Sequence, residues 1–174
     1  DAYTVKAENT AGTQRLADGS RIMGAIKGRD AIYVWTDTAL FLMQFVGQPF
    51  TFSFQQVGTN CGLFGKNACI EVDGSSYWMS ENGFFTYDGQ LKSMPCLVED
   101  YVYDSINDTS RDLINCGLNN LFGEINWSYC SGASDVVDRV VTYNYLDSSA
   151  ERPIWTTARM NTVSGKKVGV PTRI

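Results

Sequence analysis

The chain has 174 residues, of which 14 are basic, 19 are acidic and none is histidine, and 44% of them are hydrophobic. This share of apolar side chains excludes a disordered chain, and the longest apolar stretch, Ala39–Phe45, is far shorter than the roughly 20 residues that cross a bilayer. The net charge of −5 disfavours tight binding of nucleic acid, which requires clustered Lys and Arg. We expect a folded, soluble chain that does not insert into membranes.

The chain divides into three regions by composition. Residues 1–20 are polar and include the turn-forming pair Asp18-Gly19, so we expect an extended arm or linker there. Residues 21–160 carry the strand-like segments of the chain. We expect residues 161–174 to be a polar tail or a connection to a part that is missing from this sequence.

Strand-sized runs of β-branched and aromatic residues follow one another from Arg21 onwards. Glycine and Asx residues separate them at short intervals, as tight hairpin turns require, for example at Asp73-Gly74 and Asn82-Gly83. The predicted strands are Arg21–Ile26, Ala31–Thr36, Ala39–Val46, Phe50–Val57, Ala68–Val72, Ser76–Ser80, Phe84–Tyr87, Leu113–Gly117, Leu121–Cys130, Val136–Leu146 and Pro153–Ala158.

One segment has helical periodicity instead. Its apolar residues fall at helical spacing directly after Pro95, from Leu97 to Ile106, and acidic residues lie among them. The spacing predicts one short helix in a chain of otherwise low helical content.

A repeat determines the predicted fold. The segment that starts at Ile32 aligns with the segment that starts at Ser76 at a shift of 44 residues, and a looser third copy starts at Glu124. Repeats of about 40 to 50 residues with four short strands each are typical of β-propellers. We therefore predict an all-β, β-propeller-like fold with about three four-stranded antiparallel blades that form part of a larger ring, because closed propellers usually have at least four. A β-sandwich is the alternative.

Candidate catalytic groups are scarce. The absence of histidine removes Ser-His-Asp and Cys-His catalysis and the commonest zinc and copper sites. Four pairs of neighbouring acidic residues need attention because glycosidases use two carboxylates. We interpret all of them as solvated faces and turns; they are Glu71 with Asp73, Glu99 with Asp100, Asp104 with Asp108, and Asp135 with Asp138.

Five cysteines are widely spaced and form no C-x-x-C pair, so we interpret them as buried free thiols. Cys69, near Lys66, and Cys96, near Lys92, have a basic neighbour that would activate a nucleophile, but a core thiol is the simpler interpretation. We predict no catalytic, cofactor-binding or metal-binding residue, no cofactor, and no enzymatic activity.

Tryptophans occupy nearly corresponding places in the three repeats, at Trp35, Trp78 and Trp127. Exposed aromatic rings stack on sugars or bases, whereas recurrence on equivalent strands is typical of packing between blades. We predict that these three side chains are buried between blades.

An ordered series of aromatic motifs lies between about residues 30 and 158. Its segments are Val34–Phe52, Asn60–Leu63, Ser76–Ser80, Phe84–Gly89 and Met94–Val102. These motifs resemble virion structural proteins of tailed bacteriophages. The chain looks similar to the propeller-containing virion proteins, in the style of the tail nozzle and packaged-DNA stabilisation proteins of short-tailed phages.

The resemblance implies a non-enzymatic structural component of the virion at the neck or tail, a nozzle or hub. A homo-oligomeric ring, in contact with other tail or neck proteins, would line or close the channel through which the genome leaves. An acidic surface suits this role, because it repels phosphate and lets DNA pass without tight binding. The alternatives are a receptor-binding module that recognises glycans and, less favoured, a glycan-cleaving propeller enzyme.

Overall fold

The fold is all-β, as the sequence predicts. A computed structural model describes residues 13–48, 51–132 and 134–160, together with the backbone of 162–163, 166–167 and 172–173. Strands make up 48% of the chain and helices 8%. Three four-stranded antiparallel sheets account for most of the strands, an arrangement compatible with a β-propeller.

Each of the three large sheets is built on a simple meander of four strands, in which sequential strands are neighbours. We call the sheets blades. Blade 1 contains β1 (Ile22–Lys27), β2 (Ile32–Thr36), β3 (Ala39–Phe45) and β4 (Phe52–Thr59). Blade 2 contains β5 (Cys69–Val72), β6 (Ser75–Ser80), β7 (Gly83–Tyr87) and β8 (Leu91–Met94). Blade 3 contains β9 (Asn115–Asn119), β10 (Glu124–Tyr129), β11 (Arg139–Asn144) and β12 (Trp155–Arg159).

Short elements complete the fold. Helix α1 (Glu99–Tyr103) and a 3₁₀ helix (Asp108–Leu113) lie in the connection between blades 2 and 3. The predicted polar tail contributes three two-residue strands, and the last of them pairs with the outer edge of blade 3. These strands are β13 (Thr162–Val163), β14 (Lys166–Lys167) and β15 (Thr172–Arg173). Of the predicted arm, residues 1–12 lie outside the described residues.

The hairpin turns follow from their Asx and glycine residues. Val72 pairs with Ser75, so the β5–β6 turn consists of Asp73 and Gly74 alone. Both have positive φ, at 52° and 85°. Such turns match the right-handed twist of the strands that they join, and Asp and Gly are the residues that tolerate this conformation.

The first strands of the three blades lie next to one another, as innermost propeller strands do. The backbone links blades 2 and 3 at this place, because the Cys116 N–H donates a hydrogen bond of 2.8 Å to the Asn67 carbonyl. The blades are thus stacked side by side about their first strands.

Aromatic side chains fill the spaces between the blades. Trp35 of blade 1 contacts Trp78 of blade 2, with ring centroids 5.3 Å apart. Phe84 of blade 2 contacts Trp127 of blade 3 at 5.1 Å. Blade 2 therefore has both faces covered, and the three tryptophans, each 0% exposed, lie between blades as predicted.

The three tryptophans are not equivalent in their hydrogen bonds. Trp78 and Trp127 each donate an indole N–H to a backbone carbonyl that precedes the strands of blade 2, at Cys61 (2.8 Å) and Ala68 (2.9 Å). The buried Trp35 N–H has no acceptor among the described residues. At the repeat shift of 44 residues, Trp35 aligns with Met79 and not with Trp78. The two tryptophans therefore do not occupy equivalent positions of the repeat.

Three local features differ from the predicted elements. Strand β8 was not predicted, because its Leu-Lys-Ser-Met sequence is a partly exposed edge strand without β-branched or aromatic residues. The predicted helix is shorter, at Glu99–Tyr103, and the 3₁₀ helix was missed. Leu121 and Phe122 lie in the β9–β10 turn, so the strand predicted from Leu121 begins only at Glu124. No helix in the described part of the chain has the length and apolar character that crossing a membrane requires.

Candidate functional site at the acidic end of the blades

One end of the three-blade stack carries a concentration of negative charge. We call it the acidic end; it consists of the β2–β3 and β6–β7 turns, the connections between blades, and the β10–β11 connection. Its acidic residues are Asp37, Glu81, Glu99, Asp100, Asp104, Asp108, Asp112, Asp135 and Asp138. The basic residues in the same segments are Lys66 and Arg111.

Both basic residues of these segments are already paired with acids. Two further arginines adjoin the acidic end, Arg21 directly before β1 and Arg139 at the start of β11. Lys66 Nζ lies 3.3 Å from Asp112 Oδ1, and Arg111 Nη2 lies 2.7 Å from Glu81 Oε1. Because these pairs neutralise only part of the negative charge, the acidic end presents a surface that repels phosphate and other anions.

Backbone contacts hold the segments of the acidic end together. Leu63 N–H donates to the Thr36 carbonyl (3.0 Å), and Phe64 N–H donates to the Met79 carbonyl (2.9 Å). At blade 3, Gly132 N–H donates to the Ser105 carbonyl (2.5 Å). The acidic side chains are therefore carried by loops that are fixed to the blades.

A cleft of about 410 Å³ opens in the acidic end between blades 1 and 2. Phe64 and Arg111 line one wall of the cleft, where the Arg111 guanidinium lies 4.3 Å from the centre of the Phe64 ring. The same guanidinium forms the ion pair with Glu81. Asp37 and Arg21 line the opposite part. The cleft thus contains charges of both signs and a ring that is already covered by a cation.

Replacing Arg111 by methionine keeps part of the packing on Phe64 and removes the charge. We expect a loss of about 1 kcal/mol in the free energy of unfolding, since a partly exposed ion pair and a cation–π contact each contribute about that or less. Urea denaturation at low and high salt checks this, because the ion-pair part is screened by salt. An equal loss at both salt concentrations would contradict an electrostatic contribution.

Asp37 connects the end of the arm to blade 1. Its Oδ1 accepts a hydrogen bond from the Ser20 N–H (2.7 Å), and its Oδ2 accepts one from the Ser20 hydroxyl. These hydrogen bonds, chiefly that of the Ser20 side chain, lower the pKa of the Asp37 carboxyl below its usual value.

Replacing Ser20 by alanine is expected to raise the Asp37 pKa towards its ordinary value. A carboxyl with a lowered pKa in the folded state stabilises the fold above its unfolded-state pKa, and this contribution is lost as the pH falls through the folded pKa. The contact between Ser20 and Asp37 should therefore weaken only in acid. NMR titration of the Asp37 carboxyl carbon measures the pKa, and an unchanged value in Ser20→Ala would refute the assignment.

The cysteines that sequence analysis considered as nucleophiles lie in unfavourable surroundings. Burial raises the pKa of Cys69 and that of Cys96 to about 11, so both are protonated thiols at neutral pH. Lys92, the neighbour of Cys96, pairs with Asp88 at 2.7 Å. None of the five cysteines, all within the described residues, forms a disulfide bond.

The acidic pairs that sequence analysis considered as glycosidase carboxylates include residues that stabilise turns or helix ends. Glu71 Oε1 accepts a hydrogen bond of 2.6 Å from the Gly74 N–H in the β5–β6 turn. Asp138 accepts from the N–H and the hydroxyl of Ser131, both at 2.7 Å. Glu99 and Asp100 lie in the first turn of α1, where negative charge is favourable.

No group of three or more metal-ligating side chains occurs in residues 13–48, 51–132 and 134–160. In comparisons with known proteins, no family model matches the chain. No curated protein matches it either.

Sequence analysis assigned the negative charge to the chain as a whole and did not place it at one end of the blades. The first strands of the blades carry a single acidic residue, Glu71. Alternation of turns at the two ends of each meander would have placed these acids together, because the β2–β3, β6–β7 and β10–β11 turns and the connections between blades share one end.

Proposed function

We propose that the chain is a non-enzymatic structural component of a phage virion, placed at the neck or tail as a nozzle or hub. In this role it forms a homo-oligomer with contacts to other tail or neck proteins. Its acidic end faces the channel through which the genome leaves, and DNA passes it in transient contact. The observation that carries the proposal is the acidic end, in whose turns and connections acidic residues outnumber Lys66 and Arg111, both of which are paired with acids.

The charge distribution supports this role on physical grounds. DNA adheres to proteins through Lys and Arg that displace counterions from phosphate. A surface on which carboxylates predominate repels the phosphates instead, so a strand that moves past it meets no strong binding site.

The burial of the tryptophans favours an assembly role over glycan recognition. A sugar-binding module needs exposed aromatic platforms, but Trp35, Trp78 and Trp127 are 0% exposed between the blades. The same side chains supply the rigidity that a structural component needs, since each contacts a ring of the neighbouring blade.

Cryo-electron microscopy of virions that contain the protein tests the proposal. We expect density for the three blades in a ring on the tail axis, with the acidic end towards the channel. Peripheral density, absence from the particle, or specific binding of an oligosaccharide by the purified chain would reject it.

Charge reversal at the acidic end gives a second, biochemical test. We expect Asp100→Lys/Asp104→Lys to increase binding of double-stranded DNA, with an affinity that falls steeply with salt. The matched control, Asp147→Lys/Glu151→Lys, makes the same charge change at the opposite end of blade 3. Fluorescence anisotropy measures both variants, and in virions only the first should slow DNA ejection. Equal effects of the two variants would contradict a special role for the acidic end.

A further inference from the structure

The arm covers part of the outer face of blade 1. Trp35 contacts blade 2, so its neighbour Val34 points to the other side of the sheet, where Phe41 is its partner in β3. Leu16 of the arm packs against the cluster that these two side chains form with Ala39. Val34, Ala39 and Phe41 are 6%, 0% and 3% exposed, so this patch is buried under the arm.

The same face extends beyond the arm. Phe45 lies further along β3 on this side of the sheet and is directly opposite Phe52 in β4. Phe45 is 73% exposed and Phe52 is 47% exposed. The arm therefore separates a buried apolar patch from solvent, while a neighbouring apolar patch of the same face is open.

Side-chain hydrogen bonds attach the arm to two elements of blade 1. Asp18 accepts one from the Thr38 hydroxyl and one from the Gln56 side-chain amide, both at 3.1 Å. Ser20 donates its N–H and its hydroxyl to the Asp37 carboxylate. Because Asp37 and Thr38 form the β2–β3 turn and Gln56 lies in β4, these attachments reach from the turn to the outer strand of the blade.

Gly19 allows the arm to approach the β2–β3 turn closely. Its φ is 97°, and a Cβ at this position would be 2.4 Å from Cβ and Oγ1 of Thr36 and 2.8 Å from Asp37 Oδ1. Thr36 is 2% exposed, and its Oγ1 accepts the Ala39 N–H at 2.9 Å, so it cannot move aside without loss of a hydrogen bond of the turn. A larger residue at position 19 would hold the arm away from the blade.

The attachment of the arm is weaker than the pairing within the blade. Residues 13–20 form no backbone–backbone hydrogen bond with a described residue, whereas the strands of blade 1 are joined by ladders. Leu16 and Asp18 are only half-buried, and the hydrogen bonds of Asp18 and Ser20 are exposed. Segments with few buried contacts and exposed hydrogen bonds open at a lower free energy than the core of a domain.

We propose that residues 16–20 are a clasp, which closes over the outer face of blade 1 and opens as a unit while the three blades stay folded. The closed clasp shields Val34, Ala39 and Phe41 from contact with other molecules. Its opening joins this patch to the exposed phenylalanines beside it, so the clasp switches the end of the stack between a small and a large apolar surface. The inference does not depend on the proposed function.

Native-state hydrogen exchange of the full chain measures the opening. The Ser20 N–H reports on the clasp, because it donates to Asp37 at 2.7 Å, and the amides of β2 and β3 report on the blade. In wild type we expect Ser20 to exchange faster than these amides, at a rate that low concentrations of urea leave unchanged, because local opening exposes little surface. The same urea dependence for Ser20 and for the strands would overturn the proposal. Exchange of Ser20 at the rate of an unstructured peptide would overturn it as well, because the clasp would then not be closed.

Two arm variants open the clasp by different means. Gly19→Ala pushes the arm away from the turn, and Leu16→Asp removes its apolar contact. We expect each to speed the exchange of Ser20 by about tenfold or more and to raise the fluorescence of anilinonaphthalene sulfonate, with the exchange of β2 and β3 unchanged. Ala17→Ser is the matched control, because Ala17 is exposed between the two sites, and it should behave like wild type. If Gly19→Ala behaved like the control, or lost protection throughout blade 1, the arm would not be a separate clasp.

Discussion

Replacing Trp127 by alanine is expected to lower the free energy of unfolding by about 3–5 kcal/mol, the usual cost of a large-to-small change at a buried aromatic residue. Trp127 is 0% exposed, contacts Phe84 across the interface of blades 2 and 3, and bonds the Ala68 carbonyl. Since domains of this size are stable by about 5–15 kcal/mol, the variant should be close to unfolding at room temperature. Urea denaturation followed by far-ultraviolet circular dichroism measures the change.

Trp→Phe substitutions separate the hydrogen bond from the packing. Trp127→Phe loses the bond to Ala68, whose carbonyl keeps a second donor, the Met79 N–H at 3.0 Å. Trp35→Phe loses no hydrogen bond with a described residue. We expect the free energy of unfolding of Trp127→Phe to be lower than that of Trp35→Phe by about 1 kcal/mol, the net value of one hydrogen bond. If Trp35→Phe were the more destabilised, the two indoles would not differ in the way the structure shows.

Replacing Gly62 by alanine is the second substitution with a large expected effect. A Cβ at Gly62 would be 2.2 Å from the carbonyl carbon and oxygen of Asp37, and backbone atoms cannot give way as a flexible side chain does. The connection between blades 1 and 2 would have to move away from the β2–β3 turn. That movement strains the hydrogen bonds that Cys61 and Leu63 donate to this turn, both 3.0 Å.

We expect Gly62→Ala to cost about 3 kcal/mol, at the upper end of the range for overpacking. Gly117→Ala is the matched control, because nothing lies within 4 Å of a Cβ at that position in β9. The control should be neutral or slightly stabilising, since alanine restricts the unfolded chain more than glycine does. Thermal unfolding of both variants beside wild type gives the comparison, and equal midpoints would contradict the steric argument.

The predicted blades could be found because their signals are local. Each strand of blade 1 combines β-branched or aromatic residues with turn residues at its ends, so its boundaries follow within a few residues. The edge strand Leu91–Met94 could not be found in this way, because it forms through pairing with β7 and not through its own composition. The 3₁₀ helix Asp108–Leu113 likewise depends on a turn in which Asn107 accepts from the Thr109 N–H.

The candidate site was harder to predict, for a different reason. Residues such as Asp37, Glu81 and Asp108 are separated by tens of positions, so they come to one end only when the strands are arranged as meanders and the blades are stacked. Arg111 shows the same limit: its contacts with Glu81 and the Phe64 ring, from two separate connections, exist only in the folded chain.

The amino-acid sequence by itself determined the all-β class, the three-fold repeat of four-stranded blades and the burial of the tryptophans, because strand periodicity, turn chemistry and hydrophobicity are properties of neighbouring residues. Only the tertiary structure decided that the acids collect at one end, that Trp35 differs from Trp78 in hydrogen bonding, and that blade 1 leaves Phe45 and Phe52 exposed. These features depend on which face of each sheet meets its neighbour, and a change of one residue in strand register reverses that face.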